Sequence, residues 1–133
     1  MITTQAYTLA KECFNDKIAF HEGYFHVALI PNSKGFIIST NNYNRNLLNK
    51  KFIYSLHAEV SVLHTYNNII KNNNKKIKKL IVFRYNKCGF LRNSKPCKQC
   101  CLTMLIHNVK SVIYSEDNGT ITKIKVKDLL ETY

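Results

Sequence analysis

The chain has 133 residues, a length that suits one domain over 1–133, and 45% of them are hydrophobic, enough for a core without disulfide support. No apolar run approaches the roughly 18 residues a membrane span needs, and the opening MITTQAYTLAKECF lacks the basic-then-apolar layout of a secretory leader. A soluble, cytoplasmic protein with no membrane partner is expected. The net charge of +12 attracts anions such as nucleotides, phosphates or nucleic acid without specifying one of them. The excess is nearly all Lys, with Arg only at 45, 84 and 92, and it travels with many Asn, Ile and Tyr. An AT-rich coding sequence produces that bias unaided.

Residues 4–20 place Ala6, Leu9, Ala10, Cys13, Phe14 and Ile18 at helical spacing and predict an amphipathic helix. YFHVALI (24–30) and FIIST (36–40) read as strands joined by the turn PNSKG, hence a hairpin. NNYNRNLLNKKFIY is a loop. A second helix starts near Leu56 or His57 and runs to about Asn72. The lysines of NNNKKIKK read as a solvated turn rather than a binding patch. KKLIVFRY (78–85) is a strand and NKCGFLRNSK a loop. Pro96 sits where a helix takes its first residue, and CKQCCLTMLIHN follows as the third helix. SVIYS (111–115) and TITKIKV (120–126) are strands joined only by EDNG, too short for a crossover. The last strand is therefore predicted antiparallel to the one before it. KDLLETY is a tail with helical character. Strands alternating with helices argue for an α/β sheet.

Two short motifs stand at helix starts. His57-Ala58-Glu59 opens the second helix, and Pro96-Cys97-Lys98-Gln99-Cys100 opens the third. Cys97 and Cys100, three apart, share one face of a first turn. A helix N-terminus favours the thiolate that a metal needs. His57 supplies a third ligand. A His/Cys/Cys set leaves one tetrahedral position open, the layout of a catalytic zinc rather than a closed structural one. Glu59 lies near enough to act on water at that open position without being a ligand.

H-x-E followed by P-C-x-x-C is the known signature of zinc nucleobase deaminases. On these residues the chain resembles the cytidine/deoxycytidylate deaminase superfamily over most of its length. The resemblance implies a three-layer α-β-α fold with a mixed sheet of about five strands and the zinc site at two helix N-termini. It implies that His57, Cys97 and Cys100 hold Zn²⁺ and that Glu59 shuttles protons while an amine is hydrolysed to a carbonyl with release of ammonia. No organic cofactor is implied. Asn44, with Asn42 as runner-up, would contact sugar or base. Ala58 would lend its backbone N–H to the pocket floor. Ser94, whose hydroxyl could read a base edge, and Pro96 are the other substrate-facing positions. The expected partner is a small nucleoside or nucleotide carrying cytosine, the expected assembly a dimer or tetramer.

The runner-up is a deaminase of RNA, tRNA or single-stranded DNA, on cytosine or adenine; a zinc-stabilised binding module without catalysis is the third reading. The terminal hairpin resembles the free-nucleoside branch, whereas His57 in place of Cys resembles the nucleotide and polynucleotide branches. The stretch from Glu59 to Cys97 is longer than the family usually shows. Cys101 reads as core. Cys88 stands as an alternative fourth thiolate in a closed site. His21, His26, His64 and His107 read as surface or core histidines. Tyr85, Phe90 and Arg92 are open between base stacking and edge packing, and Arg84 and Lys95 are candidates for a phosphate.

Overall fold

A computed structural model describes residues 2–17, 25–33, 35–40, 42–43, 55–70 and 76–133. Its first helix, α1 (Ile2–Lys17), buries Ala6, Ala10 and Phe14, one face at i, i+4, i+8. Residues 18–20 of the predicted helix lie outside the described residues. Strands β1 (Phe25–Asn32) and β2 (Gly35–Thr40) pair antiparallel, Val27 with Thr40 through Asn32 with Gly35. Two-residue strands β3 (Asn42–Tyr43) and β4 (Ser55–Leu56) then pair antiparallel; β3 falls in the stretch read as loop and Leu56 where the second helix was expected to start. Helix α2 (Ala58–Ile70) follows directly.

The central strand is β5 (Ile77–Tyr85). Its run Leu80–Phe83 is wholly buried, because both faces of the sheet are covered. Alternate side chains go to opposite cores: Leu80 and Val82 to one, Ile81, Phe83 and Tyr85 to the other. Short β6 (Leu91–Arg92) folds back antiparallel onto the end of β5, another pairing that sequence periodicity missed. Helix α3 (Lys98–Ile106) carries the chain across to β7 (Val109–Ser115), which runs parallel to β5. β8 (Ile121–Lys125) returns antiparallel to β7, as so short a connection required. Helix α4 (Val126–Leu130) closes the described chain.

The sheet order is β2-β1-β5-β7-β8, with β6 off the end of β5. One core joins the sheet to α2, α3 and α4 through Val62, Leu63, Met104 and Leu129; the other joins it to α1 through Phe14, Phe25 and Phe83. This is the expected three-layer α-β-α arrangement around a mixed sheet. The parallel β5/β7 pair sends the chain into α3 from the same end of the sheet at which α2 begins. That geometry brings the two helix starts together. No helix among the described residues is long and apolar enough to cross a membrane.

Candidate active site

Each motif puts a donor residue just outside its helix. The His57 carbonyl accepts the Ser61 N–H at 3.0 Å, and the Cys97 carbonyl accepts the Cys101 N–H at 3.0 Å. Both residues therefore sit at the N-cap position of α2 and α3. Cys97 has extended backbone (φ −70°, ψ 167°) and spends no side-chain hydrogen bond on capping. Its sulfur is left for other work. Pro96 lies one residue ahead of that cap, not at the first helical position as the sequence suggested.

The donors converge. His57 Nδ1 is 3.2 Å from Cys100 Sγ and 3.9 Å from Cys97 Sγ. All three donor atoms lie within 4.8 Å of one another. Tetrahedral zinc with ordinary Zn–N and Zn–S bonds separates an N and an S donor by about 3.6 Å, which falls between the two observed values. Among the described residues Cys88 is exposed and is not part of this group, so the closed Cys3His alternative is not supported.

Glu59 is buried on the first turn of α2. Burial pushes its carboxyl above the ordinary carboxylate range, opposed in part by its own backbone N–H, by His57 and by a hydrogen bond from the Cys100 thiol. Burial, then the Glu59 carboxylate and Cys97, push the Cys100 thiol far above the usual thiol range. Three groups that ionise to anions thus crowd one spot. A divalent cation among them removes the penalty of ionising the thiols. The donor set, its spacing and its charge balance all fit zinc.

A cavity of ≈170 Å³ opens beside the cluster, lined by His57, Ala58, Glu59 and Cys97 together with His26, Arg84, Asn93, Ser94 and Lys95. Ala58, one of these residues, is fully buried. Ser94 lines the cavity, but its hydroxyl is engaged elsewhere. It donates to the Val82 carbonyl at 2.8 Å, accepts the Ser115 N–H at 2.7 Å and lies 2.9 Å from the Ser115 hydroxyl. Its N–H donates to the Ser115 carbonyl at 2.8 Å. Ser94 therefore pins the loop ahead of Cys97 to β5 and β7, in place of the base-reading part expected of its hydroxyl. Pro96 is buried outside the cavity lining, and its carbonyl accepts the Tyr133 hydroxyl. Lys95 Nζ stands 4.8 Å from the Tyr133 ring centre. Asn44 lies outside the described residues. So does the side chain of Asn42, though its backbone pairs with Leu56 at the mouth of α2.

The remaining candidates sort by burial. Tyr85 is fully buried against Phe14 and Tyr7, so it packs and does not stack on a ligand. Phe90 is 67% exposed, and Arg92 is exposed. Cys101 is buried, with its thiol pushed up to about 11 chiefly by desolvation, in keeping with a core role. His64 is exposed, and His107 Nδ1 lies 2.9 Å from the Asn67 amide. His21 is not among the described residues. His26 and Asn93 were missed as cavity residues. His26 is brought in by strand register, directly opposite Arg84 in the β1/β5 pair.

No protein-family profile and no curated relative matches the chain. Solved structures do. A cytidine deaminase from Burkholderia pseudomallei superposes over 93% of this chain and 93% of its own, with a TM-score of 0.62 at 16% identity. Cytidine deaminases from Mycobacterium tuberculosis and Mycobacterium leprae each match 93% of this chain with a TM-score of 0.60 at 15% identity, over 89% and 92% of their own lengths. At such identity the likeness is one of fold: the chain has a cytidine-deaminase-like fold that carries a His-Cys-Cys cluster suited to a metal.

Proposed function

We propose that this protein is a zinc-dependent hydrolytic deaminase that converts cytosine to uracil in a nucleoside or nucleotide. The observation that carries this reading is the convergence of His57, Cys97 and Cys100 at two helix N-termini with Glu59 buried beside them. Zinc, held by those three side chains, supplies a Lewis acid that makes water nucleophilic near neutral pH. Glu59 would take a proton from the attacking water and pass it to the ring nitrogen, then take the remaining hydroxyl proton as the carbonyl forms and deliver it to the departing amine. The balance is one water consumed, one C–N bond exchanged for a carbonyl and one ammonia released.

Arg84 and Lys95 favour a phosphorylated substrate over a free nucleoside, because both cations line the cavity that would receive it. The test is direct. Zinc-loaded protein is incubated with cytidine, deoxycytidine, CMP, dCMP, adenosine and short single-stranded DNA and RNA, and ammonia and the keto product are followed. Uridine- or uracil-nucleotide formation, faster with CMP or dCMP, supports the reading. Intact metal with no product from any of them defeats it, and product from the polynucleotides alone transfers the assignment to a nucleic-acid deaminase.

A further inference from the structure

Away from the candidate active site, six lysines border one groove at the end of the sheet where β5 and β7 begin and β8 ends. Lys76, Lys78 and Lys79 lead into and begin β5, Lys110 lies at the start of β7, and Lys123 and Lys125 lie at the end of β8. The groove has a volume of ≈1020 Å³. None of its lining residues is acidic. Strand register makes the clustering regular. Lys79 pairs with Ser111, and Ser111 pairs with Lys125, so two lysines stand two strands apart in one row, roughly 10 Å at ordinary strand spacing. The acids of the same hairpin, Glu116 and Asp117, sit at its turn, the far end from the groove.

Composition explains many lysines, but it does not explain their segregation from acids. Like charges on neighbouring strands repel, and an anion laid across them relieves the repulsion. A second copy of this chain, which carries +12 as well, is a poor source of that relief. A single phosphate does not engage lysines spread over three strands, whereas a chain of regularly spaced phosphates does. Leu105, Val109 and Ile124 add apolar surface to the lining of the groove. Unpaired bases can turn their faces onto such a surface, while a duplex keeps its bases stacked inside.

We propose that this groove binds the phosphate backbone of a single-stranded nucleic acid. It is separate from the deamination cavity: Lys79 and Arg84 stand five positions apart along β5, roughly 16 Å along an extended strand. Binding here does not depend on the proposed catalysis, and Glu59→Gln protein is expected to bind the strand unchanged.

The test uses fluorescence anisotropy with labelled single-stranded RNA and DNA of equal length, titrated from about 50 to about 200 mM salt. Both strands are expected to bind, since the contact is to phosphate. With six lysines engaged, log Kd should change with log salt by about 4; Lys110→Gln/Lys125→Gln should lower that slope by about 1.4 and weaken binding. The charge-matched control Lys87→Gln/Lys127→Gln alters exposed lysines outside the groove and should leave the slope in place. An equal loss in the control would reduce the effect to net charge and overturn the proposal. So would failure of both strands to bind, or equal affinity for a duplex of the same length.

Discussion

Ser94→Ala asks whether the sheet holds the loop that delivers Cys97. The Ser94 side chain is 4% exposed, and its hydroxyl serves Val82 O, Ser115 N and the Ser115 hydroxyl at once. Alanine keeps the volume nearly unchanged, so little cavity cost enters. It leaves the buried Ser115 N–H without this acceptor and the Val82 carbonyl without this donor. An unsatisfied buried group costs about 1–3 kcal/mol, so two weakened groups suggest a loss of about 2–4 kcal/mol. For a chain of this size that is a drop of roughly 10 °C in melting temperature. The assay is urea or thermal unfolding of zinc-free protein, which removes metal affinity from the comparison, followed by zinc titration with a chromophoric chelator. Weaker zinc binding should accompany the lost stability, because the pinned segment runs directly into Pro96 and Cys97. A change below about 0.5 kcal/mol with unaltered zinc affinity would show that the Ser94 network is incidental.

Arg84→Gln removes a cation from the cavity while keeping a shorter hydrogen-bonding side chain; KM for CMP or dCMP should rise about 10- to 100-fold, the worth of one charge-assisted hydrogen bond, with kcat and the KM for cytidine little moved. Equal changes for nucleotide and nucleoside would remove Arg84 from phosphate recognition. Tyr133→Phe keeps the ring beside Lys95 but deletes the hydroxyl that donates to Pro96; zinc affinity should fall a few-fold, consistent with about 1 kcal/mol for one hydrogen bond, and an unchanged zinc Kd speaks against a positioning part for Tyr133. Leu102 and Ile106 leave apolar surface exposed on α3, so light scattering is expected to give a dimer or tetramer that Ile106→Glu weakens; a monomer at all concentrations contradicts this.

The parts of the site that sit at helix starts were legible from the sequence. His57-Ala58-Glu59 and Pro96-Cys97 combine capping positions with donor chemistry, and local spacing alone puts Cys97 and Cys100 on one turn. The strand order at the end of the chain followed from the brevity of EDNG. What stayed hidden depends on register or burial. His26 reaches the cavity because β1 pairs it with Arg84, a relation that only the folded sheet creates. Ser94 sits where a ligand-reading hydroxyl was expected, but the backbone of Ser115 claims it, and no sequence pattern shows that competition. β3, β4 and β6 are two residues each, too short to carry a periodicity. That Lys76, Lys78 and Lys79 share a groove with Lys110, Lys123 and Lys125 depends on the register of β5, β7 and β8, which the sequence does not display.

The central claim is that His57, Cys97 and Cys100 hold zinc for a reaction in which Glu59 moves the protons. The measurement that addresses it most directly is paired zinc analysis and ammonia release on the unaltered protein and on Glu59→Gln. One zinc per chain is expected in both, with a fall in deamination of at least about 10²-fold, the usual reach of general acid–base catalysis, in the variant alone. Zinc-loaded Glu59→Gln that deaminates at an unaltered rate, or unaltered protein that takes up no zinc, would contradict it.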